Sequence, residues 1–145
     1  MILRLESLMP HADKINPAVS AREVAWHLEH SLKIICSICK TLVNSRPENY
    51  SSNFNVSKYC VLWSKRIPRG KGRSPKHFNN RQVINISGLP KLLKDAESAL
   101  ADLENLDPKQ HFRHPLFGDL NLSQGKKFIL IHTNHHLDII NEILA

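Results

Sequence analysis

The stretch Phe128-Ile-Leu-Ile-His132-Thr-Asn-His135-His136-Leu-Asp-Ile-Ile-Asn-Glu-Ile143 decides how this chain is read. On a wheel at about 100° per residue, Phe128, Ile129, Ile139, Ile140 and Ile143 gather on one face. That periodicity predicts an amphipathic helix over residues 124–144, with Ser123 in the position of an N-cap. His132 and His136 fall in the middle of the apolar face, and His135 falls at its edge beside Glu142. Residues four apart on a helix stack on the same side, which is the spacing at which two imidazoles chelate one metal ion. A single inward histidine is usually a core residue with a satisfied hydrogen bond. Two of them one turn apart each need a buried partner, at about 1–3 kcal/mol if unpaired, and one shared metal satisfies both.

Working outward, the same reasoning predicts three more helices. Residues 21–43 carry an apolar face of Val24, Leu28, Ile35, Ile38 and Leu42, and Ser20 with Glu23 has the Ser-x-x-Glu spacing of a capping box. His27 lies on the flank of that face, placed to lean toward a neighbouring helix. His30 lies about 60° further round, toward the side marked by Glu29, Lys33 and Lys40. The expected metal ligands are therefore His27, His132 and His136, with His30, His135 and His114 as supporting or alternative groups. Three protein nitrogens leave a coordination position open, as in catalytic rather than structural sites. Imidazole suits zinc, nickel and iron alike, so the ligand set does not name the ion. A helix over residues 90–105 follows from Pro90 in its first turn and the stripe of Leu92, Leu93, Ala96, Leu100 and Leu103. A short one over residues 2–9 is stopped by Pro10. Residues 111–118, His-Phe-Arg-His-Pro-Leu-Phe-Gly, read as a turn leading into the last helix, with His114 donating to backbone carbonyls there.

The connection between the second and third helices, residues 45–88, is long for a compact domain. Short strands are expected at residues 59–63 and 82–86. Residues 49–94 hold ten Lys or Arg and no Asp or Glu, so this segment accounts for the net charge of +7. Arg69, Lys71 and Arg73, in the Pro- and Gly-rich run 67–76, are expected to bind an anionic group as part of a flap without acidic partners. Tyr59, Trp63 and Phe78 lie among these cations, a combination that also suits single-stranded nucleic acid. No nucleic-acid module accompanies them, so a small-molecule substrate is the stronger expectation.

With 145 residues the chain has the length of one domain, residues 1–145. No apolar run reaches membrane-spanning length, and the first nine residues alternate apolar and charged side chains unlike a signal peptide. Three cysteines is an odd number, and Cys36 and Cys39 fall inside a helical pattern, so reduced packing thiols in a cytoplasm are expected. A homodimer is left open.

Two groups of residues carry a resemblance. The first is Leu5-Glu-Ser-Leu-Met-Pro10, Ser20 and His27-Leu-Glu-His-Ser31. The second is His114-Pro-Leu-Phe-Gly118 followed by His132-x-x-His135-His136. On these the chain resembles the DinB/YfiT-like family of metal-dependent helical bundles, in an uncharacterised branch. The resemblance implies an all-α, up-down-down-up four-helix bundle. It also implies a metal on one histidine of the second helix and two, four apart, of the last, matched by His27, His132 and His136. It further implies metal-dependent hydrolysis or thiol-dependent transfer, and leaves open whether this chain is an enzyme. The alternative from another class is a non-catalytic protein whose basic segment docks an anionic partner or nucleic acid. The short first helix and the long basic connection depart from the family pattern.

Overall fold

A computed structural model describes residues 1–69 and 84–145. The described chain is mainly α-helical: α1 (Ile2–Leu8), α2 (Val24–Asn44), α3 (Val56–Ser64), α4 (Leu89–Ala101) and α5 (Leu122–Leu144), with one antiparallel hairpin of β1 (His111–His114) and β2 (Gly118–Asn121). The central element is α2, which packs against both α4 and α5; α1 lies on α4, and α3 lies on α5. The core lies where these helices meet, around Leu28, Leu32, Ile35 and Leu42 of α2, Leu93 and Ala96 of α4, and Leu137 and Ile140 of α5. No helix among the described residues is long and apolar enough to cross a membrane.

The helix starts differ from those the sequence predicts, for identifiable reasons. At α5 the N-cap is Asn121, not Ser123. Its side chain accepts from the Gln124 amide while the Gln124 side chain accepts from the Asn121 amide, a reciprocal pair that satisfies two donors at once. At α2 no capping box forms: Glu23 is the N-cap and makes no side-chain cap bond. Ser20 instead accepts the Arg22 amide N–H at 3.0 Å and faces a histidine ring. Helix α4 begins at Leu89, with Pro90 in its first turn as expected, and ends at Ala101, short of Asn105, whose φ of 63° breaks the helix direction.

Residues 59–63 are not a strand but part of α3. Asn55 caps that helix by accepting from the Lys58 amide, and the buried positions Lys58, Val61 and Leu62 follow a three-to-four spacing. Of the second expected strand, Gln82 and Val83 lie outside the described residues, and Ile86 opens a 3₁₀ turn before α4. The stretch 111–118 is more than a turn: it forms β1, the tight connection and the start of β2, with Phe112 opposite Leu120 and His114 opposite Gly118.

Lys58 ties α3 and the segment before it to this hairpin. The side chain is 1% exposed, and its ammonium donates to the Asn53 carbonyl at 2.7 Å and to the Asn53 side chain at 3.2 Å. Asn53 in turn donates to the Phe117 carbonyl at 2.9 Å. Gly118 sits against this knot with φ of 70°, and a Cβ placed there would lie 2.6–2.8 Å from the Asn53 amide. Gly118→Ala is therefore expected to lower stability by more than the roughly 1–2 kcal/mol of a left-handed alanine, because Asn53 must also move. A denaturant midpoint equal to the wild type would contradict this account.

Candidate metal centre

Helices α2 and α5 bring four histidines together. His30, His132 and His136 each offer a ring nitrogen, and these three atoms lie within 4.8 Å of one another. The imidazole ring centroids are 5.2 Å apart for His30 and His132, 4.8 Å for His30 and His136, and 4.7 Å for His132 and His136. His27 stands beside this group. Its Nδ1 is 3.0 Å from Nδ1 of His136, and its Nε2 is 3.0 Å from the Ser20 hydroxyl.

His132 and His136 are brought together as the wheel of α5 predicts. The expectation for α2 is corrected: His30 does not face solvent but is buried, at 5% exposure, and belongs to the compact group. The physical reason is that α2 is covered on two sides. Because α4 and α5 both pack on it, its buried surface extends from Ala25 and Leu32 round to His27 and His30, over more than half of the helix circumference. A wheel that assumes one apolar stripe places its edge too early.

Aromatic side chains wall the centre. Trp26 stacks on His30 with centroids 4.8 Å apart and planes 7° from parallel, and presents its edge to His27 and His136. The Arg22 guanidinium carbon lies 5.4 Å from the Trp26 ring centre. Below His132 lies a nest of Phe112, Phe117, Phe128 and His114. His114 accepts the Leu116 amide N–H on Nδ1 at 3.2 Å, the reverse of the donation expected of it, and stacks on Phe117 at 4.3 Å. It supports the wall and is not part of the compact group. Trp26 and Ser20 were not identified as site residues from sequence. For Trp26 the signal is the spacing Trp26-x-x-x-His30, which puts an indole one turn from an imidazole; Ser20, which lies before the helix, has no comparable spacing.

Burial and mutual proximity keep these rings neutral. His27 is pushed down to about 4 by burial and by the neighbouring His30, His135 and Arg22. His30 is pushed down to about 4 by burial and by Lys33. His132 falls to about 3 and His136 well below the usual imidazole range, each by burial first and then by the surrounding histidines. Neutral imidazole is the form that binds a cation. Two buried polar atoms beside this group, Nδ1 of His132 and the Thr133 hydroxyl, lack a hydrogen-bond partner among the described residues. An orphaned buried polar atom is costly, and three converging neutral nitrogens are a donor set that fits a divalent transition ion.

His135 is outside the compact group. It touches His136 edge-on at 5.4 Å and faces a cleft of about 560 Å³ between residues 65–69 and the outer side of α5. Burial, followed by Arg69, lowers its pKa. Arg69 does have an acidic partner: its guanidinium makes two 2.7 Å bonds to the Glu142 carboxylate. That corrects the expectation of a basic flap without acidic partners at this residue. Lys71 and Arg73 lie outside the described residues. Cys39 is buried and its thiol is pushed up to about 11, and burial raises Cys36 as well, the opposite of what a reactive pair needs.

Compared with protein-family models, with curated proteins and with solved structures, the chain finds no match.

Proposed function

We propose that this protein binds one divalent metal ion on His30, His132 and His136, within a DinB-like helical bundle, and uses it in hydrolysis or in transfer of a small thiol. The observation that carries the reading is the convergence of three neutral ring nitrogens within 4.8 Å, one histidine of which has an orphaned buried nitrogen. Zinc, nickel and iron all suit the donors. A bound ion would act as a Lewis acid or lower the pKa of a bound water or thiol. The protein's own part is to hold the three nitrogens fixed: α5 sets His132 and His136 one turn apart, Trp26 stacks on His30, and the phenylalanine nest closes the floor under His132.

Reconstitution with zinc followed by desalting and elemental analysis is expected to leave about one ion per chain, as for other three-histidine sites. His30→Ala, His132→Ala and His136→Ala are each expected to lose it, and His135→Ala to retain it. A wild type that keeps no ion, or a His30→Ala that keeps all of it, overturns the assignment. A second reading, in which the protein docks an anionic partner without catalysis, is supported by the exposure of Phe54, Tyr59 and Trp63 next in sequence to Lys65 and Arg66. Fluorescence anisotropy with single-stranded oligonucleotides tests it; tight binding lost in Trp63→Ala would favour it.

A further inference from the structure

The imidazole of His27 faces partners on both ring nitrogens. Nδ1 lies 3.0 Å from Nδ1 of His136, and Nε2 lies 3.0 Å from Oγ of Ser20. The ring is 3% exposed and is held edge-on against Trp26 at 5.1 Å and 90°, so its plane is set by packing. A neutral imidazole carries one N–H and one bare nitrogen. Only one proton fits between two Nδ1 atoms at this distance, so the tautomers of His27 and His136 are coupled.

Two arrangements satisfy the chain. In the first, the Ser20 hydroxyl donates to Nε2 of His27, and His27 donates from Nδ1 to His136. His136 must then carry its own proton on Nε2, and neither of its nitrogens has a lone pair left for a cation. In the second, His136 donates from Nδ1 to His27, and His27 donates from Nε2 to Ser20. Nε2 of His136 is then bare. Ser20 permits either arrangement, because its oxygen accepts the Arg22 amide N–H at 3.0 Å and its hydroxyl can donate to His27 or accept from it; what selects the second is that only there does His136 keep a lone pair for a cation.

We infer that His27 is a positioning residue and not a ligand: the chain Ser20–His27–His136 places the His136 proton on Nδ1 and presents its Nε2 to the ion shared with His30 and His132. The inference rests on the metal-binding reading and assigns within it the role of the fourth histidine. An outer hydrogen-bond partner that fixes the tautomer of a ligating imidazole is a general device of metal sites.

The test uses the intact zinc-loaded chain with ¹⁵N-labelled histidine. Long-range ¹H–¹⁵N correlation is expected to show His136 protonated on Nδ1 and zinc-bound through Nε2, and His27 protonated on Nε2 with no zinc-bound nitrogen. His27→Leu is expected to keep one zinc per chain with affinity about 10–100-fold weaker. His27→Asn, whose amide oxygen stands near the position of Nδ1, is expected to recover most of that loss. A zinc-bound nitrogen on His27, or unchanged affinity in His27→Leu, overturns the inference while leaving the metal site standing. A wild type that binds no zinc sinks the metal reading and this inference with it. Should His27→Leu fail to fold, the tautomers of the wild type decide alone.

Discussion

Acidifying the metal-free protein is expected to destabilise it steeply once the pH drops below about 6.5, the ordinary imidazole value. The unfolded chain takes up protons on its histidines there. In the fold, His27 and His30 resist protonation until about 4 and His132 until about 3, and His136 resists further still. His114, held in the phenylalanine nest, is likewise pushed down to about 4 by burial. Across this window the unfolded state binds more protons than the folded one, so stability rises with pH and is lost as pH falls. Each such histidine changes the balance by about 1.4 kcal/mol per pH unit. Three of them acting together amount to roughly 4 kcal/mol between pH 6 and pH 5, against total stabilities of about 5–15 kcal/mol. Urea midpoints at pH 7.5, 6 and 5 measure the effect. His132→Leu, which removes one of the groups, is expected to flatten the dependence. A midpoint that does not move over this range would mean that the histidines are solvated rather than enclosed.

How much of this was legible in the sequence differs between the two helices that build the centre. In α5 the apolar residues Phe128, Ile129, Ile139, Ile140 and Ile143 fall on both sides of His132 and His136, so both could be placed on the midline of the buried face from spacing alone, although that face is as wide as the one on α2. In α2 the stripe defined by Val24, Leu28, Ile35, Ile38 and Leu42 is only part of the buried surface, because a second neighbour covers the flank that carries His27 and His30. Which of those two histidines joins the group depends on where α5 crosses α2, a tertiary relation that one-dimensional periodicity does not contain. Burial of Ser31 beside them is the trace left in sequence: a small polar residue on that flank, its hydroxyl turned back to the His27 carbonyl at 2.8 Å, leaves room for a close neighbour.

Capping chemistry misled in a comparable way. Ser20 and Glu23 have the spacing of a capping box, but the hydroxyl is committed to the Arg22 amide and to His27. Asn121 and Gln124, three apart and polar, supply the working box at α5. The composition of residues 59–63, Tyr-Cys-Val-Leu-Trp, is rich in strand formers and suggests a strand where α3 forms. The deciding groups lie outside that window: the Asn55 cap, and the Lys58 ammonium bonded across to the loop before the helix.

Loading the centre with zinc is expected to stabilise the fold in proportion to the excess of free metal over its dissociation constant. An ion that binds the folded chain and not the unfolded one contributes about 4.1 kcal/mol at a thousandfold excess. The three nitrogens are supplied by helices far apart in sequence, His30 on α2 and His132 and His136 on α5, so the ion acts as a clamp across the core and has no equivalent site in the unfolded chain. The gain should appear as a rise in the urea midpoint at pH 7.5, reversed by a chelator. It should vanish in His30→Ala and in His136→Ala, and persist at reduced size in His27→Leu at the same free zinc, since that variant still closes the clamp with a weaker hold. It should add to the stability at each pH without flattening the acid dependence, because the folded chain that holds the ion takes up no protons on those nitrogens while the unfolded chain still does. A wild-type midpoint unmoved by zinc at neutral pH would remove the clamp and leave the four histidines as a packed but purely structural cluster.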